Sequence, residues 1–176
     1  MSFIKTTKYI GTDNFSHQKK DKIGILITNL GTPKEATTQA VRAYLTEFLH
    51  DPRIVEIPRL LWLLMLHGFI LRVRPKRSAK AYKSIWSKKG SPLMFHTQDQ
   101  CRALSNTLKK QWGEQIQIEF AMRYGAPSIS SALQKLADSG VTKLLVLPLY
   151  PQYASSTIGS TFDALSQDYT QRRWLP

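Results

Sequence analysis

The sequence predicts an α/β fold with a doubly wound parallel sheet, and two observations favour it. Short apolar runs of strand length alternate along the chain with longer segments in which apolar residues recur at helical spacing. The chain has 176 residues, 42% of them hydrophobic, which suits one domain with a substantial core. Ligands of such folds bind at the carboxyl ends of the strands.

The first strand and the first helix follow one another directly. Residues 22–30, KIGILITNL, form a buried apolar strand that ends in the turn Gly31-Thr32-Pro33. The helix after this turn has Thr37 or Thr38 as its N-cap, and Asp51-Pro52 stops it. Its apolar positions are Val41, Tyr44, Leu45, Phe48 and Leu49.

Two more helices and a strand occupy the middle of the chain. We expect a helix that Thr97 opens, and the alternation of apolar and polar residues in 116–122, IQIEFAM, predicts a strand. Another helix spans residues 128–139, with Gly140 just past its end. The apolar positions of these helices are Cys101, Leu104 and Leu108, then Leu133, Leu136 and Ala137.

The third strand, residues 143–149, is KLLVLPL, and its apolar sequence is typical of a parallel strand covered on both faces. A last helix carries Phe162, Leu165 and Tyr169. The loops that follow the three strands contain neither Asp nor Glu, so the sequence indicates no catalytic base in them. These loops are 30–33, 123–125 and 150–160.

Residues 1–21 are predicted to be a flexible polar leader, because they lack the apolar stretch of a signal peptide. Cys101 is the only cysteine, which excludes a disulfide or a cysteine-cluster metal site within the chain and fits a cytoplasmic protein. The four histidines are widely separated in sequence, and we interpret each as a surface or packing residue and not as a metal ligand. They are His17, His50, His67 and His96.

The net charge of +13 is concentrated between Arg72 and Lys89, where eight basic residues occur without an acidic one. From charge alone, a solvated helix face and a surface for an anionic partner explain this equally well. A nucleic-acid-binding module would need stacking aromatics among the basic residues, and Tyr82 and Trp86 supply only a few.

The segment Pro58–Arg77 combines a long apolar run with arginines. The apolar run is too short to span a bilayer, and His67-Gly68 interrupts it. Its pattern favours a buried core helix. The alternative is an exposed apolar lip that dips into a membrane surface while its arginines meet anionic headgroups.

Four motifs carry a resemblance to a known family. They are ITNLGTP (27–33), GSPL (90–93), MRYGAPSI (122–129) and VLPLYPQYASST (146–157). In this order and spacing they closely resemble the N-terminal half of ferrochelatase, the enzyme that inserts ferrous iron into protoporphyrin IX to give heme. The resemblance covers residues 22–176 and implies a chelatase-like, Rossmann-type α/β domain, one of the two similar domains of bacterial members.

The resemblance also implies what this chain does not supply. The family's metal-binding, proton-accepting His lies in an S-x-H-G-[IL]-P motif in the second domain, and its partner Glu lies further on. Neither is found in these residues, so we expect no catalytic or metal-ligating residue here and no activity from the chain alone. Some relatives hold a [2Fe-2S] cluster through a cysteine where this chain has Ala154-Ser155-Ser156, so no such cluster and no permanently bound cofactor is expected.

The substrate site that the resemblance implies lies at the strand-end loops. Leu30 would lie over the macrocycle on the face opposite the catalytic histidine, with Arg123 and Tyr124 on the same side. Tyr150 and Pro151 would meet the ring, and Ser155 and Thr157 would bond its polar edges. The complete set of implied substrate-binding residues is Leu30, Arg72, Arg74, Tyr82, Ser91, Arg123, Tyr124, Tyr153 and Ser156.

The implied partners are protoporphyrin IX, Fe²⁺ as a substrate, and the missing C-terminal domain. Membrane contact through Pro58–Arg77 would place a cytoplasmic protein at the inner face of the membrane. Nucleic acid is not expected as a partner. The alternative function is a basic α/β module that binds a membrane surface or nucleic acid without catalysis.

Overall fold

The computed structural model describes residues 9–11, 21–173 and 175, in which three parallel strands form one sheet. The strands are β1 (Ile23–Gly31), β2 (Ile116–Tyr124) and β3 (Lys143–Pro148), in the order β2-β1-β3. The helices among the described residues are α1 (Thr38–His50), α2 (Arg59–Met65), α3 (Leu71–Ile85), α4 (Pro92–Trp112), α5 (Ile129–Asp138) and α6 (Ser160–Tyr169). The predicted doubly wound α/β sheet is therefore confirmed.

Helices cover both faces of β1 and β2. On one face α4 packs on Ile25, Ile27 and Ile118 through Cys101, Leu104 and Leu108. On the other face, α5 and α6 bury Leu26 with Leu133, Leu136 and Leu165. Burying one such leucine contributes about 1.5–3 kcal/mol, so these two layers fix the position of the central strand.

Strand β3 lies at the edge of the sheet and is covered on one face only. Leu145 is 55% exposed and Leu147 is 42% exposed. The prediction that this strand is covered on both faces is wrong, because α4 packs against β2 and β1. Within the described residues, no element covers the face that carries these two leucines.

The predicted helix starts are correct in two cases and wrong in one. Thr37 caps α1 by accepting from the Ala40 amide at 3.2 Å, and Ser128 caps α5 through the Ser131 amide at 3.2 Å. The helix expected to begin at Thr97 begins instead at Pro92, after Ser91 in the N-cap position. A proline suits the first helical turn, because the amide it lacks has no partner there.

The segment between Arg59 and Ile85 is helical throughout. A π-helical turn, Leu66–Ile70, joins α2 to α3, so His67-Gly68 interrupts the apolar run without ending the helix. A π-turn accommodates one extra residue without ending the helix. Trp62, Leu66 and Leu71 are buried against α1, and the Trp62 indole donates to the Leu49 carbonyl at 2.7 Å.

The segment Pro58–Arg77 has one buried face and one exposed face. Its inner face is core, as the buried-helix interpretation requires. Its outer face is exposed, and Leu63 between them is half-buried. The exposed apolar side chains, called the apolar lip from here on, are Leu60, Leu61, Leu64, Met65, Phe69 and Val73.

Part of the predicted leader lies against the end of the chain. Ile10 pairs in parallel with Arg172, with its amide donating to the Gln171 carbonyl at 2.7 Å. Residues 1–8 and 12–20 lie outside the described part, and the division into a leader and a domain of residues 22–176 stays a prediction. Of the helices that the structure describes, none has the length and apolar character to cross a bilayer.

Candidate functional site

The carboxyl ends of the three strands meet at one edge of the sheet, as predicted for Leu30, Arg123 and Tyr150. Gly31 pairs in register with Tyr124, and the Leu149 amide donates to the Thr28 carbonyl at 2.8 Å. Gly31 has φ +113°, and a Cβ there would lie 1.9 Å from the Tyr124 carbonyl oxygen. Only glycine allows the two strand ends to approach this closely.

A buried polar network joins this edge to α1 and α6. Asp51, the C-cap of α1, accepts from the Ser160 hydroxyl at 2.5 Å, from Arg123 Nη2 at 2.6 Å and from the Tyr124 hydroxyl at 2.8 Å. Arg123 Nε also donates to the Ser160 carbonyl at 2.9 Å. The Arg53 amide donates to the second Asp51 oxygen at 2.8 Å, so both carboxylate oxygens have partners.

The network fixes the charge state of Asp51. Burial alone would raise the pKa of this carboxyl, but hydrogen bonds from Ser160, Tyr124 and the Arg53 amide, with the Arg123 charge, together lower it below its usual range. Burial also raises the pKa of Tyr124, which therefore remains a neutral hydrogen-bond donor. Asp51 is thus an occupied carboxylate that neutralises Arg123 and not a base poised to take a proton.

Tyr124 and Arg123 differ in their access to a ligand. The Tyr124 side chain is fully buried, and in this structure it presents no surface to a bound molecule. The Arg123 guanidinium lies 4.5 Å from the centre of the Tyr124 ring and is 17% exposed. Arg123 and Tyr124 therefore support the carboxyl end of β2 from its buried side.

A cleft of about 500 Å³ opens beside this network and brings together three of the predicted site residues, Leu30, Tyr82 and Ser91. The Ser91 hydroxyl is buried and accepts from the Thr32 hydroxyl at 2.9 Å. Tyr82 stands edge-on to Tyr44 with ring centres 6.4 Å apart. The cleft thus has an aliphatic and aromatic lining with hydroxyls at its base, which suits a flat and mostly apolar ligand.

Sequence reasoning missed two residues of the site. Asp51 was interpreted only as a helix stop, and its partners lie more than 70 residues away in sequence. His96 was interpreted as a surface or packing residue, yet it lines the cleft. Its position follows from the true start of α4, because Ser91-Pro92 places His96 in the second turn; that dipeptide was the available signal.

The loop after β3 is held at its base and open at its tip. Arg53 donates to the Ser155 hydroxyl at 3.0 Å and forms a bidentate ion pair with Asp163. Tyr153 is 69% exposed, and Ser156 is half-buried. The Tyr150 hydroxyl is buried and has no hydrogen-bond partner in the described part of the chain.

Arg72 and Arg74 lie apart from the network, on α3. Both are exposed, and Arg74 lines an open groove of about 460 Å³ together with Phe69 and Val73 of the apolar lip. Burial raises the pKa of Tyr82, while the Arg74 charge acts in the opposite direction. Arg74 is therefore the predicted lip arginine whose charge reaches the cleft.

Two of the histidines are not isolated. His50 and His67 are 17 residues apart in sequence but lie in contact, with their Nε2 atoms 3.2 Å apart. His17 lies outside the described residues. No group of three or more His, Cys, Asp or Glu suited to a metal ion occurs in the part of the chain that the structure describes.

Comparison with known proteins gives consistent matches. The ferrochelatase family model matches residues 22–176. The chain is 61% identical to the ferrochelatase of Idiomarina loihiensis over 96% of this chain and 46% of that protein. It is 56% identical to the ferrochelatase of Marinobacter nauticus, over 96% of this chain and 45% of that protein. The chain therefore spans about half the length of the curated relatives it matches.

Proposed function

The chain belongs to the ferrochelatase family, and we propose that it forms the porphyrin-binding half of an enzyme that inserts Fe²⁺ into protoporphyrin IX to give protoheme. The observation that carries this proposal is the cleft at the carboxyl edge of the sheet. Segments far apart in sequence bring Leu30, Tyr82 and Ser91 to it. Porphyrin and Fe²⁺ are the substrates in this proposal, and the chain holds no permanent cofactor.

The cleft residues have distinct roles in this proposal. Leu30 lies against one face of the macrocycle and excludes water from it, and Tyr82 adds an aromatic wall. The exposed Tyr153, with Ser156, offers polar atoms at the ring's edge. Arg74 and its neighbour Arg72 meet the propionate groups at the mouth of the cleft.

The inner network positions these groups and does not carry the chemistry. Metallation requires a base for two pyrrole protons, and Asp51 is already occupied by four donors. We propose that the base and the metal-binding residues belong to the part of the relatives that this chain does not span. Cys101 is the only cysteine of the chain, so we propose no iron–sulfur cluster.

The test is porphyrin binding and iron insertion by the chain alone and by a fusion of it to the C-terminal half of one of these relatives. Protoporphyrin fluorescence should report weak binding and no metallation with the chain alone, because one wall leaves much of the ring in water. The fusion should metallate. Clear turnover by the chain alone, or no porphyrin binding by either protein, would contradict the proposal.

Variants of the fusion locate the site. Leu30→Asp should weaken porphyrin binding, whereas the matched control Leu145→Asp, on the exposed edge strand, should not. Arg123→Ala and Tyr124→Phe should lower turnover more than His96→Ala does, since they support the strand ends and His96 only lines the cleft. If His96→Ala has the largest effect, the chemistry lies within this chain.

As a second proposal, we infer that the protein is cytoplasmic and that its apolar lip contacts the inner face of a membrane. Leu60, Leu64 and Phe69 are 76%, 66% and 68% exposed, and the basic residues of α3 follow directly. Such a surface suits an interface where apolar side chains enter and cations meet anionic headgroups. Nucleic acid is disfavoured as an alternative, because Tyr82 and Trp86 stand edge-on to each other, with ring centres 6.3 Å apart.

Co-sedimentation with anionic and neutral vesicles tests the membrane proposal. Phe69→Asp should abolish binding to anionic vesicles. Phe162→Asp should leave it intact, because Phe162 is similarly exposed, at 53%, but lies on α6 and outside the apolar lip. Binding should also fall with salt. Equal effects of the two substitutions would show that the lip is not the contact surface.

A further inference from the structure

The contact between His50 and His67 is outside the cleft and has no role in the proposal above. His50 lies in the last turn of α1, and His67 lies in the π-helical turn between α2 and α3. Their ring centres are 5.1 Å apart, and the planes are inclined by 61°. The two rings therefore meet through their Nε2 atoms, 3.2 Å apart, and are not stacked face to face.

The hydrogen bond on the far side of the His50 ring fixes its proton. His50 Nδ1 lies 2.5 Å from the Thr46 carbonyl oxygen, and a carbonyl can only accept, so Nδ1 carries the hydrogen. In the neutral ring, Nε2 then carries no hydrogen, and its lone pair lies on the side of His67. Histidines that bind metals are held in this way, with the other ring N–H donated to a carbonyl or carboxylate.

The spacing of the two Nε2 atoms fits a shared metal ion. Metal–imidazole bonds of about 2.0–2.1 Å at a tetrahedral ion place two nitrogens about 3.3 Å apart. We infer that His50 and His67 together bind a divalent late first-row transition-metal ion that prefers imidazole nitrogen, with Zn²⁺ fitting the spacing and Cu²⁺ serving as a spectroscopic probe. In the absence of the ion, His67 Nε2–H donates to His50 Nε2. When the ion binds, His67 changes to its Nδ1–H tautomer, so that both Nε2 atoms are free to ligate it.

The surroundings hold the two rings at this spacing. Leu66, next to His67, is fully buried, and the Arg59 guanidinium is bound to the His50 carbonyl at 2.7 Å. No third His, Cys, Asp or Glu completes the site among the described residues. Water would therefore fill the remaining coordination positions, which makes this an exchangeable site and not a structural one.

A bound ion would link two elements that otherwise meet mainly through apolar packing. It would join the end of α1 to the turn that precedes α3 and carries Phe69 of the apolar lip. Because the ion binds the folded chain and not a random arrangement of the two histidines, it should raise the unfolding temperature.

Copper titration of the full 176-residue chain, without a histidine tag, tests the inference. We expect one equivalent of Cu²⁺ to bind, and pulsed EPR to show two imidazole ligands. His67→Ala and His50→Ala should each weaken binding at least about tenfold, the lower bound for losing even an outer-shell partner of a metal site. His96→Ala, outside the pair, is the matched control and should bind as the unaltered chain does.

His67→Gln separates ligation from a simple hydrogen bond, since its amide can donate to His50 Nε2 but leaves one imidazole for the ion. It should keep the unfolding temperature of the metal-free chain and lose the rise that Zn²⁺ produces. The inference is overturned if no equivalent binds, if the EPR signal shows a single imidazole, or if both single alanine variants bind as the unaltered chain does.

Discussion

Replacing Asp51 by alanine should destabilise the fold more than any other single change of a charged residue that we propose. The carboxylate is 4% exposed and accepts from Ser160, Arg123 and Tyr124. Removing one member of a buried ion pair costs about 3–5 kcal/mol, since the other charge stays buried without its partner. Arg123 keeps its bonds to Ser160 and is partly exposed, so we expect the free energy of unfolding to fall by about 3 kcal/mol.

Urea unfolding of the 176-residue chain measures this loss. About 3 kcal/mol lowers the unfolding temperature by roughly 6–12 °C for a domain of this size. Asp51→Asn should cost less, about 1–2 kcal/mol, because the amide keeps one acceptor oxygen. Asp163→Ala is the matched control: it removes an exposed carboxylate from its arginine, Arg53, and should have a much smaller effect because water screens that pair.

The pH dependence of the free energy of unfolding tests the contribution of Asp51 independently. The pKa of Asp51 is lowered in the folded chain, so its contribution is present above the unfolded value of about 3.9 and is lost as pH falls through the folded value. The stability difference between the original chain and Asp51→Asn should therefore shrink below about pH 4. Equal losses for Asp51→Ala and Asp163→Ala at neutral pH would refute the reasoning.

Two further predictions concern the sheet. Gly31→Ala should cost more than about 1 kcal/mol in urea unfolding, because its φ is positive and a Cβ would meet the Tyr124 carbonyl. Gly68→Ala, in a helical turn with open space for the Cβ, should instead stabilise the chain by about 0.4–1 kcal/mol. Leu26→Ala should cost about 2–5 kcal/mol, and Leu147→Ala less than half as much; equal costs would show that the exposed face of β3 is packed.

The local elements of this fold could be predicted from sequence because their signals are local. Thr37 and Ser128 are caps whose bonds reach three residues along the chain, and the apolar runs of the strands need no knowledge of their partners. The start of α4 could also have been predicted, since Ser91-Pro92 is an N-cap followed by proline. The start of α4 was instead predicted at Thr97, because the apolar positions used to recognise this helix begin only at Cys101.

The long-range features could not be predicted, because nothing local encodes them. An apolar strand such as β3 has the same sequence pattern whether one or two of its faces are covered. The contact between His50 and His67 joins the last turn of α1 to the π-helical turn and depends on how the two elements pack. Likewise, the side-chain partners of Asp51 depend on how α1 packs on the sheet. The local sequence around Asp51 therefore predicted only that it ends a helix.

The network around Asp51 also explains why the strand-end loops can be both precise and open. Burying a charge pair gains little stability over an apolar contact of the same volume, so its value lies in geometry. Asp51 orients Arg123, Tyr124 and Ser160 through bonds of 2.5–2.8 Å and thereby fixes the end of β2 against α1 and α6. Because the loops are held from beneath, the side chains above, including Tyr153, need no partners of their own. They remain available to a ligand.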